Sequence, residues 1–217
     1  MKVYAYGEDA LTLWAIKNRL SEILSKLGDE TKVDECKIFF RPSFGRGGKG
    51  TSNFGEFDFI ILAKEKLYLG ESKWDGSSIK FEDKSKKKIK LDEPQALRHK
   101  IFQWYVENWD AAIESTPDCW EKFYNKKTIL NGEKKIPKVQ GGKKKKVLPL
   151  LAQNLIAVLD IINKHFSNKG PEIVNVLLYM HKGEELKEDS GPNDFKVVNI
   201  NYTYAHALKD NLIEIEL

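Results

Sequence analysis

The chain has 217 residues, 41% hydrophobic and 11% aromatic, which is enough apolar material for one sizeable core and does not call for a second domain. No stretch approaches about 18 uncharged apolar residues, and no basic segment followed by an apolar one opens the sequence, so neither a membrane span nor a secretory leader is expected and a cytoplasmic protein is. Net charge is only +4, but the lysines are unevenly distributed.

Leu13, Ile16, Leu20, Ile23, Leu24 and Leu27 recur at helical spacing. Gly7-Glu8-Asp9 can cap this helix and Gly28 is placed to stop it. Its apolar face is core, and Glu8 and Glu22 are expected in solvent. Residues 37–41, KIFFR, read as a short strand, and residues 42–53 as a loop carrying Gly and Arg. GRGGKG lacks the GK[ST] ending of a phosphate-cradling loop and no helix follows it. A basic flap against a nucleic-acid backbone and a plain hairpin loop both stay open. Cys36 and Cys119 stand far apart with no CxxC or His partner spacing, which points to free thiols.

Phe54 to Trp74 is the stretch that the rest of the chain surrounds. Both parities of Phe57, Phe59, Ile60, Ile61 and Leu62 are apolar, so the first strand must be covered on both faces. Lys64-Glu65 makes a compact turn, and Leu67 to Trp74 returns as a second strand. A two-residue loop pairs Ala63 with Lys66 and, carried down the hairpin, places Asp58 opposite Glu71. Alternation adds Glu56 and Lys73 to that face. Carboxylates at the end of an apolar hairpin need partners or a metal, and Mg²⁺ takes one or two carboxylates while keeping several waters.

After a turn at 75–78, Lys84, Lys86, Lys87, Lys88 and Lys90 form one basic cluster. Asp92-Glu93-Pro94-Gln95 then opens a helix to about residue 114, with Leu97, Ile101, Trp104, Tyr105, Asn108, Ala112 and Ile113 inward. Gln95 and His99 lie one turn apart beside that stripe, and His99 is expected at its solvent edge or in packing. From Lys122 to Lys146 ten lysines stand against the single acid Glu133, within a Lys-rich insertion over about 116–148. Such blocks attract polyanions. A helix at about 149–166 turns Leu151, Leu155, Val158, Leu159, Ile162 and Phe166 inward, and Gly170-Pro171 ends it. Strands follow at 172–181, 195–204 and 212–217. The expected architecture is α/β, one domain with a mixed central sheet flanked by helices and a core over about 9–114 and 149–181.

Gly55-Glu56-Phe57-Asp58, then Glu71-Ser72-Lys73-Trp74-Asp75-Gly76, then Pro94-Gln95 resembles the PD-(D/E)xK nuclease superfamily, with its restriction-endonuclease-like αβββαβ core. The resemblance runs from about Leu11 to Tyr179 and is nearest to resolvase and nuclease-related branches. It implies Mg²⁺, with Mn²⁺ as a substitute, held by Asp58, Glu71 and the Ser72 carbonyl, with Lys73 positioning water or steadying the phosphate. Glu56 and Gln95 would be accessory. The helix-1 glutamate that some members use is left open between Glu8 and Glu22, and Phe57 stands where the family name has Pro.

Phosphodiester hydrolysis needs an activated water and charge neutralisation at the phosphate, which a carboxylate-held dication and Lys73 supply. Arg41, Arg46, Lys49, Lys86, Lys87, Lys88, Lys143, Lys144 and Lys145 would hold a DNA backbone without reading its sequence. A non-catalytic nucleic-acid-binding module and a protein-interaction domain with merely solubilising lysines are the other readings. Double-strand cutting would call for a homodimer, and no apolar stripe demands one.

Overall fold

The computed structural model describes residues 1–43, 56–76, 81–83, 88–91, 93–109, 153–167, 169–207 and 212–216. The loop from residue 44, most of the first lysine cluster and the Lys-rich insertion lie outside them. The chain divides into two compact units, one of Met1–Pro42, Phe57–Leu91 and Pro171–Leu217, the other of Ser43–Glu56 and Asp92–Gly170.

The first unit opens with strand β1 (Lys2–Tyr6), which runs directly into helix α1 (Gly7–Lys26). Strand β1 is not anticipated from the sequence, because its partner lies at the other end of the chain. It pairs antiparallel with β10 (Leu212–Glu216), which pairs in turn with β9 (His206–Ala207). Helix α1 ends where Gly28 takes φ +67. The Gly28 amide bonds the Ser25 carbonyl at 3.0 Å and the Asp29 amide bonds that of Leu24 at 2.9 Å, the two bonds of a Schellman stop. At its start no side chain caps it, so Glu8 and Asp9 in the first turn serve other partners.

The main sheet has the order β2-β3-β4-β7-β8, from β2 (Lys37–Phe40), β3 (Phe59–Leu62), β4 (Lys66–Trp74), β7 (Glu172–His181) and β8 (Phe195–Asn201). β2, β3 and β4 are antiparallel neighbours, while β7 and β8 join β4 in parallel, so the sheet is mixed. Between β4 and β7 the chain passes through the small ribbon β5 (Phe81–Asp83) and β6 (Lys88–Ile89) and through α2 (Glu93–Asn108) and α3 (Gln153–His165). A crossover of that length is what a parallel pair requires.

The hairpin register follows the reading of its turn. Leu62 faces Leu67, Ile60 faces Leu69 and Phe59 faces Gly70, with the Ala63 amide bonding the Lys66 carbonyl at 2.9 Å. Phe59, Ile61, Ala63, Tyr68 and Trp74 join Val176, Leu178 and Met180 in one apolar cluster with the buried side of α1. Ala10, Leu11, Ala15, Leu20, Ile23 and Leu24 are among its α1 members, and Ile213 and Ile215 of β10 belong to it as well. Leu177 and Tyr179, of opposite parity on β7, pack instead with Ile89 and Leu186. Both parities of the central strands are therefore covered, which is why they read as unbroken apolar runs.

In the second unit α2 buries Phe102 and Tyr105, and His99 is packed inside at 1% exposed. α3 buries Leu155, Val158, Leu159 and Ile162, and its Asp160 accepts a 3.0 Å bond from the Trp109 indole. Cys36 is a half-buried free thiol, whereas Cys119 falls outside the described residues. Among the described residues no helix is long and apolar enough to cross a membrane.

Gly70 sets the close approach on which the hairpin depends. A Cβ placed there would lie 2.1 Å from the ring of Phe59, itself fully buried and unable to swing aside. Gly70→Ala is expected to lower stability by about 1–3 kcal/mol, the usual cost of overpacking. Gly183→Ala, where a Cβ meets nothing within 4 Å, is expected to stay within about 0.5 kcal/mol. Urea midpoints of the two variants measure the contrast.

Candidate active site

The hairpin ladder stops at Phe59↔Gly70, and Asp58 does not continue it. The Asp58 amide bonds the Gly70 carbonyl at 3.2 Å, so Asp58 and Phe59 both oppose Gly70, two residues against one as in a β-bulge. The expected position of Asp58 directly opposite Glu71 is corrected accordingly. At this point the Phe59 ring occupies the space over Gly70, where a Cβ would lie 2.1 Å from it.

The bulge re-aims the Asp58 carboxylate. Its Oδ2 accepts the Ser72 amide at 2.6 Å, while the Asp58 carbonyl accepts the Arg41 amide at 3.0 Å. Glu71, next to Ser72 on β4, is 1% exposed. Burial first, then the charge of Glu71, pushes the Asp58 carboxyl up to about 7, against the opposing pull of the Ser72 amide and Lys73. The charge of Asp58 is thus costly in a poorly hydrated place beside a second carboxylate.

Lys73 answers part of that charge. Its Nζ bonds the Ser72 carbonyl at 2.7 Å and Glu8 Oε1 at 3.1 Å. Burial raises the Glu8 carboxyl above its ordinary range; Lys73 opposes this, while Asp9 and Glu71 add to it. The first turn of α1 therefore delivers Glu8 to the acidic site. Glu22 pairs with Lys26 at 3.2 Å on the outer side of the helix. Sequence alone left these two glutamates undecided, since both sit on the polar side of the helical stripe. The sequence reads Gly7-Glu8-Asp9 as a cap and Glu8 as solvent-exposed; the fold corrects both, since no side chain caps the helix and Glu8 pairs with Lys73.

The other expected site residues are distributed as follows. Arg41 leaves β2 with φ +47 and its guanidinium pairs with Asp9, so its charge is engaged with α1. Lys88 bonds Asn193 Oδ1 at 3.1 Å. Glu56 forms an isolated bridge with Ser43, and it belongs with Gln95 to the second unit. Arg46, Lys49, Lys86, Lys87, Lys143, Lys144 and Lys145 lie outside the described residues.

Among the described residues no three His, Cys, Asp or Glu side chains form a metal-holding group. The donors at this place are the Asp58 and Glu71 carboxylates and the Ser72 carbonyl, on which Lys73 Nζ rests. This is too few for a protein-made cage, but it fits Mg²⁺, which holds to one or two carboxylates and keeps its waters. The supporting observation is the Ser72 peptide, whose amide holds Asp58 at 2.6 Å and whose carbonyl lies next in the chain to Glu71, so that the three oxygen donors come from neighbouring positions.

No family model, curated protein or solved structure matches the chain.

Asp58 has a folded value of about 7 against an ordinary 3.8, so the folded chain binds the proton more tightly. Its contribution to stability is complete below about pH 4 and is lost as pH rises towards about 7. In metal-free buffer, the stability of Asp58→Asn relative to the parent is expected to grow across that window by about 1–3 kcal/mol, read from urea midpoints at successive pH values.

Proposed function

We propose that this chain is a divalent-metal-dependent nuclease of the PD-(D/E)xK type, hydrolysing phosphodiester bonds in DNA. The observation that carries the reading is the convergence of Asp58, Glu71 and Lys73 where β3 bulges against β4, with Asp58 bound to the Ser72 amide. The element order lends support: with the small ribbon β5-β6 and helix α3 set aside as additions, α1, β2, β3, β4, α2 and β7 come in the order α, β, β, β, α, β, with β7 parallel to β4.

Asp58 and Glu71 would hold Mg²⁺, or Mn²⁺ in its place, together with the Ser72 carbonyl. When bound, the ion supplies Lewis acidity at the phosphate and an activated water. The Ser72 amide fixes the Asp58 carboxylate from behind. Lys73 contributes a cation where negative charge develops on the phosphoryl oxygens, and Glu8 holds that ammonium in place. Lys-rich segments would supply DNA affinity through phosphate contacts.

The test is cleavage of linear, branched and single-stranded DNA with Mg²⁺, Mn²⁺ or EDTA. Cutting is expected with either metal and not in EDTA, and Lys73→Ala is expected to lower the rate by about 10²-fold or more. Cutting in EDTA, or full activity of Lys73→Ala, would overturn this mechanism. Binding by the parent without cleavage, undiminished in Asp58→Ala, would assign the chain as a non-catalytic binding module.

A further inference from the structure

The parallel strands β4, β7 and β8 end side by side, at Trp74, His181 and Asn201. In open α/β sheets the carboxyl ends of such strands are where ligands are held. The residues that follow these three ends are tied to one another. Asp75, directly after β4, gives its amide to the Met180 carbonyl at 3.0 Å. Its carboxylate accepts the Lys182 amide on Oδ2 at 2.8 Å and the Tyr202 hydroxyl on Oδ1 at 2.6 Å. Tyr202, directly after β8, gives its own amide to the His181 carbonyl at 3.0 Å. Tyr202 is buried, and its ring lies 6.3 Å from that of Trp74. Burial first, then the bond to Asp75, pushes the Tyr202 hydroxyl above its ordinary range, so it stays protonated and donates. One carboxylate thus joins the ends of three strands.

This bracket lies where β4 has lost half of its support. From Leu67 to Gly70 the strand is paired on both sides, with β3 and with β7. Beyond Gly70 the ladder to β3 has ended, and Glu71 to Trp74 are paired with β7, while on the other side the Ser72 amide meets the Asp58 carboxylate. These are the residues that carry the proposed site. A single ladder fixes a strand along one line and leaves rotation about that line soft; a bond made from outside the line removes the freedom. The bond from Asp75 past β7 to Tyr202 is of that kind, and Lys73 stands two positions before it.

We infer that Asp75 and Tyr202 are positioning residues for Lys73: the bracket sets the rotation of the end of β4, and with it the place of the ammonium against Glu8 and the Ser72 carbonyl. This rests on the nuclease reading and adds to it two residues that act through Lys73 and not on the phosphate. A small displacement is enough to matter, since misplacing a catalytic group by about 1 Å can cost about 10²-fold in rate.

The experiment is a steady-state cleavage assay of the full chain in Mg²⁺ on the DNA that the parent cuts. It compares the parent with Tyr202→Phe, Lys73→Ala and the variant carrying both changes, each shown by circular dichroism to be folded at the assay temperature. Tyr202→Phe keeps the ring and removes the donor. It is expected to lower kcat by about 10-fold and to leave KM within about twofold of the parent. In the Lys73→Ala background the same change is expected to cost less than about twofold, because a residue that acts through Lys73 then has nothing to position. Asp75→Asn, with one acceptor oxygen in place of two, is expected to behave as Tyr202→Phe does, and it carries the same comparison if that variant does not fold. Parent-like kcat in the folded variant, a loss confined to KM, or an equal loss with and without Lys73 would overturn the inference and leave the nuclease reading standing. Absence of cutting by the parent on linear, branched and single-stranded DNA removes that reading and the inference with it.

Discussion

Two carboxylates held together in an apolar hairpin are the constraint around which this fold is arranged. Asp58 and Glu71 lie at the end of strands whose other side chains exclude water, and burial together with the charge of Glu71 raises the cost of ionising Asp58. An arrangement of this kind persists only where surrounding structure holds it. The Ser72 amide, at 2.6 Å from Asp58, is the nearest such support, and the apolar cluster beneath the sheet is the larger one. The acidic end of the hairpin works against stability, and the packing of α1 on the main sheet offsets it.

The first turn of α1 is drawn into the same balance. Glu8 and Asp9 stand where acids favour the helix dipole, yet each also meets a cation from elsewhere, Glu8 with Lys73 and Asp9 with Arg41. Arg41 adopts a left-handed backbone, which costs a non-glycine residue about 1–2 kcal/mol. The bond from its amide to the Asp58 carbonyl and the ion pair to Asp9 compensate for that strain. The end of β2, the bulge at Asp58 and the start of α1 are thus tied through one residue. A shift in the helix would be felt at Lys73 and Asp58 together, which is how packing remote from the carboxylates can set their geometry.

Much of the frame was legible in the sequence because periodicity and turn chemistry act locally. Gly28 stops α1, the two-residue turn at Lys64-Glu65 sets the hairpin register as far as Phe59, and the apolar run of β7 occupies Glu172–His181. Each depends on residues within a few positions of one another. Strand β1 was not legible, because its pairing partner β10 lies about 200 residues away and five residues of alternation carry little signal alone. Arg41 reads in the sequence as a cation for a nucleic-acid backbone. In the fold its charge is matched by Asp9, a pairing across 32 positions that composition could not disclose.

What the sequence determined by itself was the hairpin and its register as far as Phe59, and with them that Asp58, Glu71 and Lys73 come near its end. Only the tertiary structure decided how those groups meet. The strand bulges at Asp58, which turns to the Ser72 amide and does not pair squarely with Glu71, and the packing of α1 selects Glu8 over Glu22 as the partner of Lys73. Both outcomes arise from close contact between segments distant in sequence, where fractions of an ångström in packing settle which polar groups can reach each other.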